Sequence, residues 1–329
     1  MGYYTKEFKS YKEQLKLLEE RGIKFNIISI EEAEKIISNI NYYKFSGYIK
    51  VFEIETDKYD IEFNKIYELY KFDRKLASYI FEMVEKIEVA FKTKLIYNIL
   101  ERTKELGPFG YLETSEWKDY SFKDEETGNS RMKKFRDILK DKMDFKKRIL
   151  EFTMRDIKPY IEHYFEKYKK ESFVPLWILS EVIDFGMTMK MYEESVRDIQ
   201  TKVAEELGNF KNKDLAFYLK SIKLIRNTVA HNGILWNFRF INRINKPLVN
   251  NYKFVDDKSF VAVLIVIVEI LKYIDKDFDH TELKNMIKKF FKDNTTLVKK
   301  FGIKNRDLRD RSLIIMGMFN DVISDLERL

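Results

Sequence analysis

Apolar residues recur along this chain at three- and four-residue intervals almost from end to end, the spacing of a helix face turned toward a core. Phe8, Tyr11, Leu15 and Leu18 predict a helix over 5–21, closed at Arg21-Gly22, where glycine accepts a left-handed cap. Ser29 with Glu32 forms a capping-box pattern that opens a second helix through about Ile40. The aromatic run Asn41 to Tyr48 breaks the period and is expected to pack as a bend between helices. The longest stretch, 60–100, carries Phe63, Ile66, Leu69, Phe72, Leu76 and Ile80, and then Val84, Ile87, Phe91 and Leu95. Gly107-Pro108-Phe109-Gly110 ends it, and 108–130 is expected to be a loop or insertion closing near Gly128-Asn129. Further helices are expected over 131–170, after Pro175, over 189–206, and from Lys213 to His231 with Asn232-Gly233 as its cap. Residues 234–254 are less regular, and 259–275, 281–292 and 312–326 are again helical in pattern. The expectation is one all-α body spanning 1–329, with no internal repeat and no Pro/Gly-rich linker.

Composition narrows the chemistry. Eleven Gly and four Pro in 329 residues are too few for the turns of a sandwich or barrel. The absence of Cys removes disulfides, thiol nucleophiles and Cys-ligated metals, and three His (His163, His231, His280) leave little for a His-rich site, so no metal and no cofactor are expected. Neither a P-loop nor a G-x-G-x-x-G occurs. The longest apolar run, Val261–Val268, is far short of the ~20 residues of a membrane span, and the start is charged early with no apolar signal region. A soluble, cytoplasmic protein with no membrane partner is expected.

The net charge is +7, and its distribution says more than its size. Between Gly208 and Lys253 nine basic residues stand against Asp214 alone, an excess of +8 that leaves the remaining 52 basic and 53 acidic residues at −1. A polyanionic partner fits that stretch. Within it lies Arg226-Asn227-Thr228-Val229-Ala230-His231, where Asn227 and His231, four apart, share a helix face and Arg226 reaches the same groove. Histidine is the side chain suited to acid–base work near neutrality. Arg, Asn and His without a metal match RNA transesterification: the 2′-hydroxyl attacks the adjacent phosphate, His231 moves a proton, Arg226 holds the phosphoryl oxygens and Asn227 orients the site. DNA, lacking the 2′-hydroxyl, would be spared. Lys220, Lys223, Trp236, Asn237, Arg239 and Arg243 are the candidate RNA contacts, with basic and aromatic side chains interleaved as single-stranded RNA binding requires. The plainer alternative is that Arg226 and His231 are a packed or solvated pair and that Trp236 is core. His163 is expected to be structural, His280 to lie in a helix-cap region, and pairs such as Glu85/Glu88 to belong to a solvated face, as does the lysine-rich stretch Lys284 to Arg309.

Several blocks carry a resemblance. Arg226 to His231 followed by Leu235-Trp236-Asn237, Asn41-Tyr42-Tyr43-Lys44-Phe45-Ser46-Gly47-Tyr48, Phe72-Asp73-Arg74 with Ile87-Glu88, and Pro175-Leu176-Trp177 with Phe185-Gly186 resemble the blocks of the Abi-like (AbiD/AbiF) proteins of phage abortive infection. That family is grouped with the HEPN superfamily. The resemblance implies a HEPN-like helical bundle with additional N- and C-terminal helices, a metal-independent endoribonuclease, and a homodimer in which two R-x4-H motifs face each other. It also implies an alternative: a non-catalytic module that holds a small noncoding RNA and senses infection. A purely structural interaction protein is the third possibility. After the motif His the family often carries a second His and a basic residue; here Asn232 and Ile234 stand there.

Overall fold

The computed structural model describes residues 7–123, 130–155, 158–244, 247–250 and 255–303. The fold is all-α. The first layer is α1 (Tyr11–Glu20), α2 (Ile30–Asn39) and α3 (Tyr42–Ile49), with a minimal parallel pairing of β1 (Ile23–Lys24) and β2 (Ile61–Glu62). Ser10 and Glu13 close a capping box on α1, and Ser29 caps α2. The expected bend at 41–48 is instead α3. Its start is supplied by the Asn41 side chain, which accepts from the backbone N–H groups of Tyr43 and Lys44, and its aromatic residues bury Phe45 and Tyr48 on one face.

The spine is α4 (Phe63–Arg102), 40 residues and so about 60 Å long. It buries the full stripe from Phe63 to Leu95 with the three- and four-residue spacing seen in the sequence. Around it pack α8 (Phe185–Glu194), α9 (Arg197–Glu206), α10 (Asn212–Ala230) and α12 (Phe260–Ile274). The residues Phe260 to Val268 of α12 are all buried. A helix apolar on every side must be enclosed on every side, and α12 lies among α4, α10 and α11 (Pro247–Asn250). The expected single helix over 189–206 is broken into α8 and α9 at Ser195 and Val196, which are extended because the Val196 N–H donates to the Trp117 carbonyl at 2.8 Å.

The segment after α4 is not a plain loop. Gly107 takes φ +71° inside a 3-10 turn, Trp117 is fully buried with its indole N–H donating to the Tyr111 carbonyl, and β3 (Ser121–Lys123) pairs antiparallel with β4 (Ser130–Met132). The expected end of the insertion at Gly128-Asn129, and the expected helix at 312–326, fall outside the described residues. The next helix, α5 (Phe135–Arg155), is tied to the body by Lys118. That buried ammonium lies 2.9 Å from both Asp141 of α5 and Glu194 of α8, and 4.7 Å from the centre of the Phe145 ring. After α6 (Pro159–Lys167), Pro175 heads only the four-residue α7 (Leu176–Leu179). The described chain closes with α13 (Thr281–Asp293), whose Phe290 stacks on Phe72 of α4, and α14 (Val298–Phe301). No helix among the described residues is long and apolar enough to cross a membrane.

Candidate functional site

The helix that carries Arg226 and Asn227 ends where the sequence places its stop. Asn232 adopts a left-handed φ of +57°, its N–H donates to the Val229 carbonyl, and the Gly233 N–H donates to the Thr228 carbonyl. These two bonds are the Schellman arrangement, and they make His231 the cap residue itself. The cap holds the backbone of His231 firmly while its side chain stands exposed in solvent. Arg226 is 38% exposed, and its Nε lies 3.5 Å from Oε2 of Glu88 on α4. Glu88 therefore belongs to this site and not to a solvated face, since it is only 17% exposed and its partner is the motif arginine.

The turn beyond the cap is anchored by one carboxylate. Asp73 of α4 is fully buried in the middle of an apolar stripe. Its Oδ1 accepts from the backbone N–H groups of Leu235 and Trp236 at 3.0 and 2.7 Å, and its Oδ2 accepts from the Tyr48 hydroxyl at 2.6 Å. Arg74 completes the network, donating to Asp73 Oδ2 at 2.5 Å, to the Gly233 carbonyl at 2.5 Å and to Asn232 Oδ1 at 3.3 Å. Burial pushes the Tyr48 phenol well above its ordinary range, and the adjacent Asp73 charge adds to that. Burial alone would lower the Arg74 pKa, but Asp73 beside it more than offsets this and the net direction is upward. The network locks three chain-distant segments around the turn after His231, with the buried Arg74 Nε left without a partner among the described residues. Ile234 completes the join by packing into α3: a Cβ on Gly47 would come within 2.6 Å of its Cδ1. Gly47→Val is expected to cost about 2 kcal/mol by overpacking, and adding Ile234→Ala is expected to recover part of it, read by denaturant unfolding of the single and double variants.

The remaining candidates divide. Lys220 pairs with Glu193 at 2.7 Å, Arg239 with Asp256 at 2.6 Å and Arg243 with Asp257 at 3.6 Å. With Arg226 counted, four of the seven described basic residues of the stretch face carboxylates from other elements, which reduces its bare count of +8. Lys223 lies over Gly186, where an added Cβ would meet its Nζ at 2.8 Å, close to Asp184. Asn237 is half-buried beside Phe238, which meets Phe240 edge-on at 5.0 Å. Trp236 is corrected outright: it is fully buried, because Asp73 draws its backbone inward, so it offers no face to a base. Of the other histidines, His163 is exposed. His280 precedes α13 but makes no side-chain cap; Asp279 accepts from the Thr281 N–H instead. Lys246, Lys253 and Arg309 lie outside the described residues. Among the described residues no group of three His, Cys, Asp or Glu is placed to hold a metal ion.

Glu88, Asp73, Arg74 and Tyr48 are the residues that spacing arguments around His231 did not single out as site residues. The available signal was Asp73 itself, a carboxylate standing on the apolar stripe between Leu69 and Leu76.

The family model described as Abi-like protein matches residues 35–237, which includes α3, α4 and the whole of the motif helix with its anchoring turn. No curated protein and no solved structure matches the chain.

Proposed function

The chain belongs to the Abi-like protein family, which points to abortive infection as a defence against phage, and on that premise we propose that it binds RNA and cleaves it without a metal. His231 moves the proton of the attacking 2′-hydroxyl or of the leaving oxygen, Arg226 neutralises the phosphoryl oxygens, and Asn227 orients the site. The observation that carries this reading is the placement of the motif. An exposed imidazole sits on a rigidly capped helix end, on the same helix as a half-exposed guanidinium that Glu88 holds in position. Rigid presentation is what proton transfer in a transition state needs. A HEPN-like composite site would be completed by the same motif of a second copy, so a homodimer, acting in the cytoplasm, is part of the proposal. The test is cleavage of single-stranded RNA in excess chelator by the wild type and His231→Ala.

The second reading is the non-catalytic alternative, in which the protein holds a small noncoding RNA, and the ion pairs of the basic stretch bear on RNA binding in both readings. Arg226 spends its charge on Glu88, and Lys220, Arg239 and Arg243 spend theirs on neighbours. An RNA must displace or share these contacts, and Glu88 then acts as a brake on binding. Glu88→Gln is expected to tighten RNA binding by up to about fivefold, the scale of one partly exposed ion pair. It is also expected to steepen the salt dependence by about one released counterion. Titration of labelled RNA across a salt series measures both. Unchanged or weakened affinity would separate Glu88 from RNA binding.

A further inference from the structure

The near-neutral charge outside residues 208–253 conceals a second basic element. Residues 131–155, which hold α5, carry ten basic and four acidic side chains. The helix has two apolar faces where a surface helix needs one. Ile138, Phe145, Ile149 and Phe152 turn toward the body. Phe135, Leu139, Met143, Leu150 and Met154 do not: they stand in solvent, Phe135 at 80%, Met143 at 65% and Met154 at 70% exposure. At about 100° per residue these five fall within an arc of about 100°, a continuous stripe along a helix of about 30 Å.

The charges nearest that stripe are cationic. Arg136, Lys140 and Lys147 fall on its solvent-side border, and Lys146 falls within it. Glu151 follows Lys140 by about 20° and pairs with Lys147 at 3.9 Å, while Asp144 and Asp137 fall farther round, with Arg148 and Arg155 among them. The fourth acid, Asp141, is turned inward onto Lys118, which fixes the rotation of the helix against the body, as does Lys142 on Glu113 at 2.5 Å. The stripe and its basic border are therefore presented by a docked helix and result from its seating.

We propose that this face of α5 is a docking surface for an anionic lipid bilayer, lying in the headgroup plane with the apolar stripe inserted and Arg136, Lys140 and Lys147 on lipid phosphates. An apolar face bordered by cations is the arrangement that lies in a membrane interface. A second copy is disfavoured because two such helices face to face would oppose equal positive charge. RNA is disfavoured because four of the five stripe residues are aliphatic or thioether side chains that do not stack bases. A surface of this kind needs no spanning helix.

Flotation of the full chain with vesicles tests it, comparing pure phosphatidylcholine with mixed phosphatidylcholine–phosphatidylglycerol. The expected result is flotation with the mixed vesicles alone, weakened by salt. Leu139→Asp with Met143→Asp, and separately Arg136→Glu with Lys140→Glu and Lys147→Glu, are expected to lower partitioning by about tenfold or more. The melting temperature should be unchanged, because these side chains are exposed. Absence of flotation, or flotation that both sets leave intact, would overturn the proposal. So would a dimer in solution that the Asp pair dissociates, or RNA binding that it abolishes in a protein that does not float; the first would assign the face to a second copy and the second to RNA.

Discussion

Replacing Asp73 by Ala is expected to cost about 3–5 kcal/mol of stability, more than a typical single substitution removes. The reason lies in what is left behind. Asp73 accepts from two backbone N–H groups, from the Tyr48 hydroxyl and from Arg74, and it is fully buried. Alanine strands those donors without an acceptor and leaves the Arg74 guanidinium half-buried with no counter-charge. Asp73→Asn keeps one carbonyl oxygen for the Leu235 and Trp236 N–H groups but turns an amide toward two other donors, so an intermediate loss is expected. Denaturant unfolding monitored by tryptophan fluorescence measures both, and Trp236 reports locally because its backbone is one of the anchored groups. A cost below about 1 kcal/mol for Asp73→Ala would mean that the turn after His231 is held by something else.

His231→Ala is expected to behave in the opposite way, with a large effect on activity and almost none on stability. The imidazole is exposed, and the cap at 231 is made by backbone atoms alone. The folding cost is therefore expected within about 0.5 kcal/mol. Loss of a general acid–base group is worth about 10²–10⁴-fold in rate, so single-turnover cleavage of a short RNA should fall by that factor. RNA affinity should stay within a few-fold, because the phosphate contacts are assigned to Arg226 and the lysines. A variant that loses affinity as much as rate would mark His231 as a binding residue, and one that cleaves at the wild-type rate would remove it from the chemistry.

The parts of the fold set by local pattern are those visible in the sequence. The α4 spine comes from a stripe repeated without interruption, and the enclosed α12 from a run apolar on every side. The end of α10 comes from Asn232-Gly233, since only a residue tolerant of positive φ can stand there. The misplaced elements were decided elsewhere. Nothing in Ser195-Val196 forbids a helix, and the break arises from a hydrogen bond to Trp117, far away in the chain. Asn41 starts α3 through a cap hidden in an aromatic run.

Charge was misleading for a related reason. Counting along the chain cannot see that folding brings Glu88, Glu193, Asp256 and Asp257 to the basic stretch, nor that Arg136, Lys140 and Lys147 line one border of the exposed stripe of α5. The Arg–Asn–His constellation was legible because helical spacing alone places it. The network that positions it was not, because Tyr48, Asp73 and Gly233 meet only in three dimensions.

The most direct measurement of the central claim is the chemical identity of the ends made when the purified protein cuts RNA in excess chelator. Attack by the 2′-hydroxyl at a site built from Arg226, Asn227 and His231 predicts 2′,3′-cyclic phosphate and 5′-hydroxyl ends, no cleavage of DNA of the same sequence, and ends formed about 10²–10⁴-fold more slowly by His231→Ala. Ends carrying 5′-phosphate and 3′-hydroxyl, or the same ends formed at the wild-type rate by His231→Ala, would contradict it.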